Sequence, residues 1–385
     1  MSANENWNSE ELDSETIKKL KGDVIENTAY SKGFILKTLL KLSDLNWSDE
    51  LEDELCFLWD MTVEEEVCSY LIKISFPSIA ASSILKYKDL TRFVEILIGI
   101  LGNIVSKLCI KEVEVINTVL VFMESDDHLI LIQVIRFIKG LDHFINDNNE
   151  NLIYTKKVID RFGFILTSSL NKDLLLITLD VLSKITSNFK IKNEDLSIDI
   201  ASKSWVGYLE IAKQENDEVI HQQFTLHFIQ LMLNLCLYID EFNNDELQKE
   251  IIKNKKEICD LLYNVLMTNL NRINLDEGLE LIKDDTLIFY IEAFAIILPL
   301  IKFESNENIF SLLLNVLFKL ISNNLSFSES FLELLIYFIP EISNSNKQSS
   351  YLKKINSVLD YCSKNKLDFK DLDKISRFKN VLDEK

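Results

Sequence analysis

Between Leu42 and Ile72 the chain carries ten carboxylates and not one Lys or Arg: Asp44, Asp49, Glu50, Glu52, Asp53, Glu54, Asp60, Glu64, Glu65 and Glu66. Acids at that density could hold a hard cation, shuttle a proton or attract a basic partner. A calcium loop needs acids at alternating positions around a glycine turn, and no D-x-D-x-D-G run occurs here. The four histidines, His128, His143, His221 and His227, offer no ligand pair, because even His221 and His227 are six apart and fall on different helix faces. No G-x-G-x-x-G or Walker loop, H-E-x-x-H helix or G-x-S-x-G elbow is present. Trp59-Asp60 is a lone W-D pair, whereas a propeller repeats it in each blade. The expectation is therefore a non-enzymatic protein with no cofactor and no metal. Its acids then serve as a solvated surface or as a face for a protein partner with a basic or extended segment. The candidate partner-binding residues are Trp59 as anchor, Asp60, Glu64, Glu65 and Glu66, with Asn103 and Asn234 further along.

The local pattern says which elements carry these residues. Ser48 followed by Asp49 and Glu50 reads as a helix N-cap with acids in the first turn, and Leu51, Leu55, Leu58 and Trp59 form the apolar stripe behind it. Thr62-Val-Glu-Glu65 has capping-box spacing and predicts a second helix from Thr62, whose Glu64, Glu65 and Glu66 sit where the macrodipole favours negative charge. Phe76-Pro77 is expected to end that helix. Asp60 lies at the C-terminal end of its own helix, where a carboxylate is unfavourable. Further on, Leu90, Phe93, Val94, Leu97, Leu101, Ile104, Val105 and Leu108 mark an amphipathic helix, and Ile96, Ile98 and Ile100 fill its other faces. Gly99 and Gly102 inside that helix predict a neighbour's backbone packed very close, since each costs about 1 kcal/mol there.

Composition sets the fold class. The 385 residues are 47% hydrophobic and 26% charged, with only 8 Gly and 3 Pro, too few breakers for the many tight turns of a sheet protein. A formal net charge of −20 argues against a direct nucleic-acid partner. The acidic start MSANENWNSEELDSE is not a secretory signal, and no membrane span is expected: Thr286 to Ile301, the most apolar stretch, is short and holds Glu292 and Pro299. Cys56, Cys68, Cys109, Cys236, Cys259 and Cys362 are scattered without a C-x-x-C pair and read as buried reduced thiols.

Similar apolar helix tails recur, registered at Asn103, His143, Lys184, Asn234, Pro299 and Pro340, with intervals of 40, 41, 50, 65 and 41. Intervals near 41 match armadillo and HEAT repeats, and the longer ones would hold insertions at the acidic stretches Asp240–Glu246 and Asp276–Asp285. The expected architecture is all-α, an armadillo/HEAT-like α-solenoid superhelix and a monomer. A flexible acidic tail is expected over 1–18, one solenoid over 19–363 and a polar segment over 364–385. Asn103 and Asn234 hold equivalent places, where peptide-binding armadillo proteins carry a backbone-binding asparagine; the accompanying tryptophan position is Gly99 here.

Three blocks together, GDVIENTAYSKGFIL (Gly22–Leu36), ELEDELCFLWDMTVEEEVCSYL (Glu50–Leu71) and GILGNI (Gly99–Ile104), resemble the serum amyloid A-like protein family, also described as synoviocyte-proliferation-associated. The likeness is specific from Gly22 to Ile104. It implies an armadillo-type, non-enzymatic protein that supports proliferation through protein contacts in the nucleus, or also in the cytoplasm. Lys253-Asn-Lys-Lys256 is only a weak import signal, so nuclear placement rests on the family alone. An armadillo-type co-chaperone or a peptide-binding transport adaptor stands as the alternative.

Overall fold

Chain segments so poor in Gly and Pro close their backbone hydrogen bonds locally, and the result is helical. The computed structural model describes residues 22–43, 45–110, 112–141, 155–188, 194–242, 245–274, 285–303, 307–322, 329–338 and 348–364. Among them are 17 α-helices and no strand, with one isolated bridge between Val24 and Ser31. The expected tail over 1–18, most of the expected C-terminal segment, His143, Pro340, Asp44, and the stretches 243–244 and 275–284 lie outside the described residues.

Two compact units divide the chain between Val181 and Leu182. The first holds α1 (Lys32–Ser43), α2 (Asp49–Met61), α3 (Glu65–Lys73), α4 (Phe76–Lys86), α5 (Thr91–Val105), α6 (Val113–Val121), a short 3-10 turn (Phe122–Glu124), α7 (His128–Leu141) and α8 (Lys156–Ser168). The boundary falls inside α9 (Lys172–Asn188). The second unit continues with α10 (Glu194–Gln214), α11 (Glu218–Phe242), α12 (Asp245–Lys253), α13 (Lys255–Asn274), α14 (Asp285–Leu300), α15 (Glu307–Ser322), α16 (Glu329–Tyr337) and α17 (Gln348–Lys364).

In the first unit α5 is the centre. Every residue from Phe93 to Gly102 is buried, including Ile96, Ile98 and Ile100, so this helix is wrapped on all sides as its sequence predicts. It packs between α2 and α7, with α4 and α3 beside it, while α4 also packs on α6. Glycines set the spacing. A Cβ on Gly102 would sit in ordinary contact with the backbone N and Cα of Phe137, at 3.8 and 3.9 Å, whereas one on Gly140 would come 3.0 Å from the backbone N of Ser106. Gly99 differs from expectation: it faces no backbone, but the Trp59 indole lies directly on it, in the volume a Cβ would occupy. A wide aromatic ring needs a flat patch of helix, and only glycine offers one.

Two local readings are also revised. Phe76-Pro77 does not end α3; Pro77 sits in the first turn of α4, where its missing N–H costs nothing, and Ser75 in the left-handed region (φ 58°) makes the joint. The Ser48 cap is as expected, its hydroxyl accepting from the Leu51 N–H at 3.3 Å.

In the second unit α10 packs on α12, α13 on α15, α14 on α16 and α15 on α17, each pair next but one in order, while α11 packs on α14, three helices on. Trp205, Tyr208, Phe224 and Phe228 form a ring cluster in its core, with Trp205 stacked on Tyr208 at 5.4 Å. The apolar α14 is a core helix, with Ala293, Phe294 and Ile297 fully buried and Glu292 exposed. It ends in a Schellman turn: Lys302 takes φ 52°, Phe303 N–H donates to Leu298 O at 3.0 Å and Lys302 N–H to Pro299 O at 3.1 Å. No single helix among the described residues is long and apolar enough to cross a membrane.

The cysteines separate by burial. Cys68 and Cys236 are buried, and desolvation pushes their thiols up to about 11 and about 12. Cys109 is exposed. Because the thiolate is the reactive form, maleimide on the native protein should modify Cys109 first. Cys68 and Cys236 should react only in denaturant, as read by peptide mass mapping; equal native labelling of Cys236 and Cys109 would contradict this packing.

The indole on Gly99 yields a second test. Gly99→Ala should destabilise by about 1–3 kcal/mol through overpacking, measured by urea unfolding. Trp59→Leu should relieve the clash, so that the double variant loses less than the sum of the two singles.

Candidate partner-binding surface

Helix α2 presents two faces of opposite character. Leu51, Leu55, Leu58 and Met61 point into the core, and Trp59 is half-buried against α5. Asp53, Phe57, Asp60 and, just beyond the helix, Glu64 are exposed at spacings of four, three and four. Phe57 stands at the centre of that stripe with 47% of its surface open. It is held edge-on by Phe34 at 5.3 Å and Tyr30 at 6.0 Å, so the ring is fixed while its outer face stays available.

The turn from α2 to α3 is built differently from the capping-box expectation. Thr62 is not the N-cap of α3 but the C-cap residue of α2, and its hydroxyl donates to Trp59 O at 2.5 Å. The N-cap of α3 is Glu64, whose side chain makes no capping bond. The reason lies in the orphan carbonyls at the end of α2, which need donors. Asn103 Nδ2 supplies them from α5, at 2.9 Å to Thr62 Oγ1 and 3.5 Å to Trp59 O. Lys107 Nζ donates to Val63 O at 2.6 Å and Cys68 Sγ to Thr62 O at 3.3 Å.

Asn234 makes the same clasp in the second unit. Its Nδ2 donates to Thr186 Oγ1 and to Ser183 O, both at 2.8 Å, again a threonine hydroxyl and the carbonyl three residues before it. The Oδ1 atoms also have donors: Arg136 reaches Asn103 at 3.4 Å and Gln230 reaches Asn234 at 2.9 Å. The equivalence of the two asparagines thus has a geometric basis. Both amides are committed to neighbouring helices, where an extended peptide would need them.

Charge compensation comes from outside the acidic stretch. Lys41 Nζ lies 2.8 Å from Glu54 and 3.5 Å from Glu50, and the Glu54 hydrogen bond raises the lysine's pKa. Arg92, opening α5, bonds Glu95 at 2.8 Å and Glu52 at 2.9 Å, and these two carboxylates raise its pKa in that order. Asp49, Asp53, Asp60, Glu64, Glu65 and Glu66 have no ion-pair partner among the described residues. Glu65 and Glu66 occupy the first turn of α3, as expected from the dipole. Asp60 has no such account.

The structure therefore brings Asp60, Glu64, Glu65 and Glu66 to one turn, sets Trp59 against the core side, and uses Asn103 and Asn234 as clasps. The residue that sequence reasoning passed over is Phe57. Its signal was an aromatic off the Leu51-Leu55-Leu58 stripe, one turn from Asp53. No group of three or more His, Cys, Asp or Glu that could hold a metal ion occurs among the described residues. His221 lies against the Phe224 ring at 4.7 Å.

No family model matches the chain. It is similar to Protein saal1 of Xenopus tropicalis, 30% identical over 188 residues that cover 43% of this chain and 40% of the relative. Protein saal1 of Danio rerio is 27% identical over 213 residues, covering 50% and 43%, and Protein SAAL1 of Homo sapiens 24% over 192 residues, covering 43% and 40%. The chain spans less than half the length of the curated relatives it matches. At this low identity and partial coverage the relatives' names agree loosely with the serum amyloid A-like resemblance carried by Gly22–Leu36, Glu50–Leu71 and Gly99–Ile104.

Proposed function

We propose that this chain is a non-enzymatic protein-interaction scaffold whose α2–α3 face docks a partner segment bearing basic and apolar side chains. The observation that carries the reading is Phe57, 47% exposed and fixed by two rings, within a stripe of carboxylates that have no ion-pair partner among the described residues. An apolar anchor ringed by charges of one sign is how interfaces combine a binding hot spot with electrostatic steering.

The scaffold is read as armadillo- or HEAT-like repeats of an α-solenoid. Two things support this: most of the long-range helix pairs in each unit, such as α5 with α7 and α13 with α15, are next-but-one neighbours, and the threonine–asparagine clasp recurs, with separations of 41 and 48 residues. The likeness to the serum amyloid A-like relatives adds a role in cell proliferation and a nuclear site of action. Docking onto the outer face of α2 suits a folded or helical partner segment better than a backbone-reading ladder.

Proximity labelling in cells with the full chain tests this, alongside Phe57→Ala and the triple reversal Glu64→Lys, Glu65→Lys, Glu66→Lys. Both variants should remain folded by circular dichroism, with urea midpoints only modestly lowered, and lose the same partners, Phe57→Ala by about 2 kcal/mol of affinity once a partner is in hand. An unchanged partner set from folded variants would end the proposal. Asn103→Ala is the contrasting case. It should lose about 1–3 kcal/mol of stability, because the buried Thr62 hydroxyl oxygen loses the Asn103 donor while Trp59 O keeps the Thr62 N–H and hydroxyl, and keep the partners under folding conditions.

A further inference from the structure

We propose that a cavity of about 740 Å³ in the second unit binds a phosphate-bearing small molecule with a planar ring. The volume falls in the range of about 300–1,000 Å³ found for small-ligand sites. Its described lining is Lys253, Lys255, Lys256, Cys259, Asp260, Tyr263 and Phe303, so three lysines line one hollow of a chain whose net charge is −20. This is the Lys253-Asn-Lys-Lys256 run, which the scaffold reading leaves unused.

The three lysines differ in their surroundings. Lys253 closes α12 and pairs with Glu250 one turn back, an ordinary surface arrangement. Lys255 and Lys256 have no ion-pair partner among the described residues, and they open α13, the positive end of its dipole. Cations are disfavoured there, whereas an anion placed between them would meet two ammoniums and the first-turn N–H groups together. Asp260 is the one carboxylate among the described lining residues, and the two lysines without an ion-pair partner among them outnumber it.

Two aromatic residues complete the described lining. Tyr263 follows Lys256 and Cys259 on α13, half-buried. Phe303 sits just past the Schellman turn of α14, and its carbonyl accepts the Tyr337 hydroxyl at 2.6 Å. Phosphoryl oxygens would lie on Lys255 and Lys256, with the planar ring against Tyr263 and Phe303.

Calorimetric titration of the full chain with ADP, adenosine and inorganic phosphate tests this. ADP should bind more tightly than either fragment. Lys255→Gln with Lys256→Gln should weaken ADP about tenfold or more, as two charge-assisted contacts are lost. The exposed Lys249→Gln control on α12 should leave it unchanged, and circular dichroism melts should show all variants folded. Three results would each overturn the assignment: no ADP heat at millimolar concentration, ADP binding untouched by the double substitution, or phosphate binding as tightly as ADP.

Discussion

Helix α5 has no solvent-facing turn between Phe93 and Gly102, and a helix that is apolar all round must be enclosed. That requirement governs the first unit. Neighbours on both sides have to come close, and the close approaches are made at glycines: Gly102 against the Phe137 backbone, Gly140 against Val105 and Ser106, Gly99 under the Trp59 ring. Each glycine costs about 1 kcal/mol of helix propensity. A half-buried indole returns about 2–3 kcal/mol from the apolar area it covers, so the exchange favours the packed arrangement. Because Trp59 is committed to α5, the rotation of α2 is set, and Asp53, Phe57 and Asp60 must face outward.

The same enclosure explains the clasps. A C-terminal helix end packed beside another helix leaves carbonyls partly shielded from water, and an unmet acceptor there costs about 1–3 kcal/mol. Asparagine projecting from the adjacent helix meets two acceptors at once, the threonine hydroxyl and the carbonyl it already bonds. Finding this at Asn103 with Thr62 and at Asn234 with Thr186 shows one packing solution used in both units. Lys139 to Asp180, 2.5 Å apart and 41 residues distant in sequence, spans a comparable interval by charge.

Much of this was readable in the residues. The scarcity of Gly and Pro announced an all-helical chain, the 3–4 spacing from Leu90 to Leu108 located α5, and Ser48 marked the start of α2. What failed were readings that treated a local pattern as self-sufficient. Thr62-Val-Glu-Glu65 has the letters of a capping box, but Asn103, 41 residues away, draws the threonine into the end of the previous helix. Proline in a helix's first turn and proline after a helix's end look alike in sequence, and only the left-handed Ser75 decides that Pro77 opens α4. Trp59 reads both as a member of the apolar stripe of α2 and as a candidate anchor, and nothing nearby in sequence shows that Gly99 is its seat.

The acidic stretch illustrates the same limit for charge. A thirty-residue window without bases seemed uncompensated, yet Lys41 and Arg92, lying just outside it in sequence, neutralise Glu50, Glu52 and Glu54 in space. The carboxylates that remain are the ones on the outward stripe and at the α3 start. Asp60 and Glu64 are both exposed and flank the α2–α3 turn, four residues apart in sequence, where the Debye length at physiological salt is about 8 Å. Their mutual repulsion is therefore only partly screened, and a helix C-terminus beside Asp60 adds to it. A partner's cation placed there relieves repulsion that exists in the free protein, in addition to the attraction it gains. Phe57, between Asp53 and Asp60 on the same stripe, would contribute burial that salt does not screen. An interface of this composition has a salt-sensitive association rate and an apolar anchor that resists dissociation.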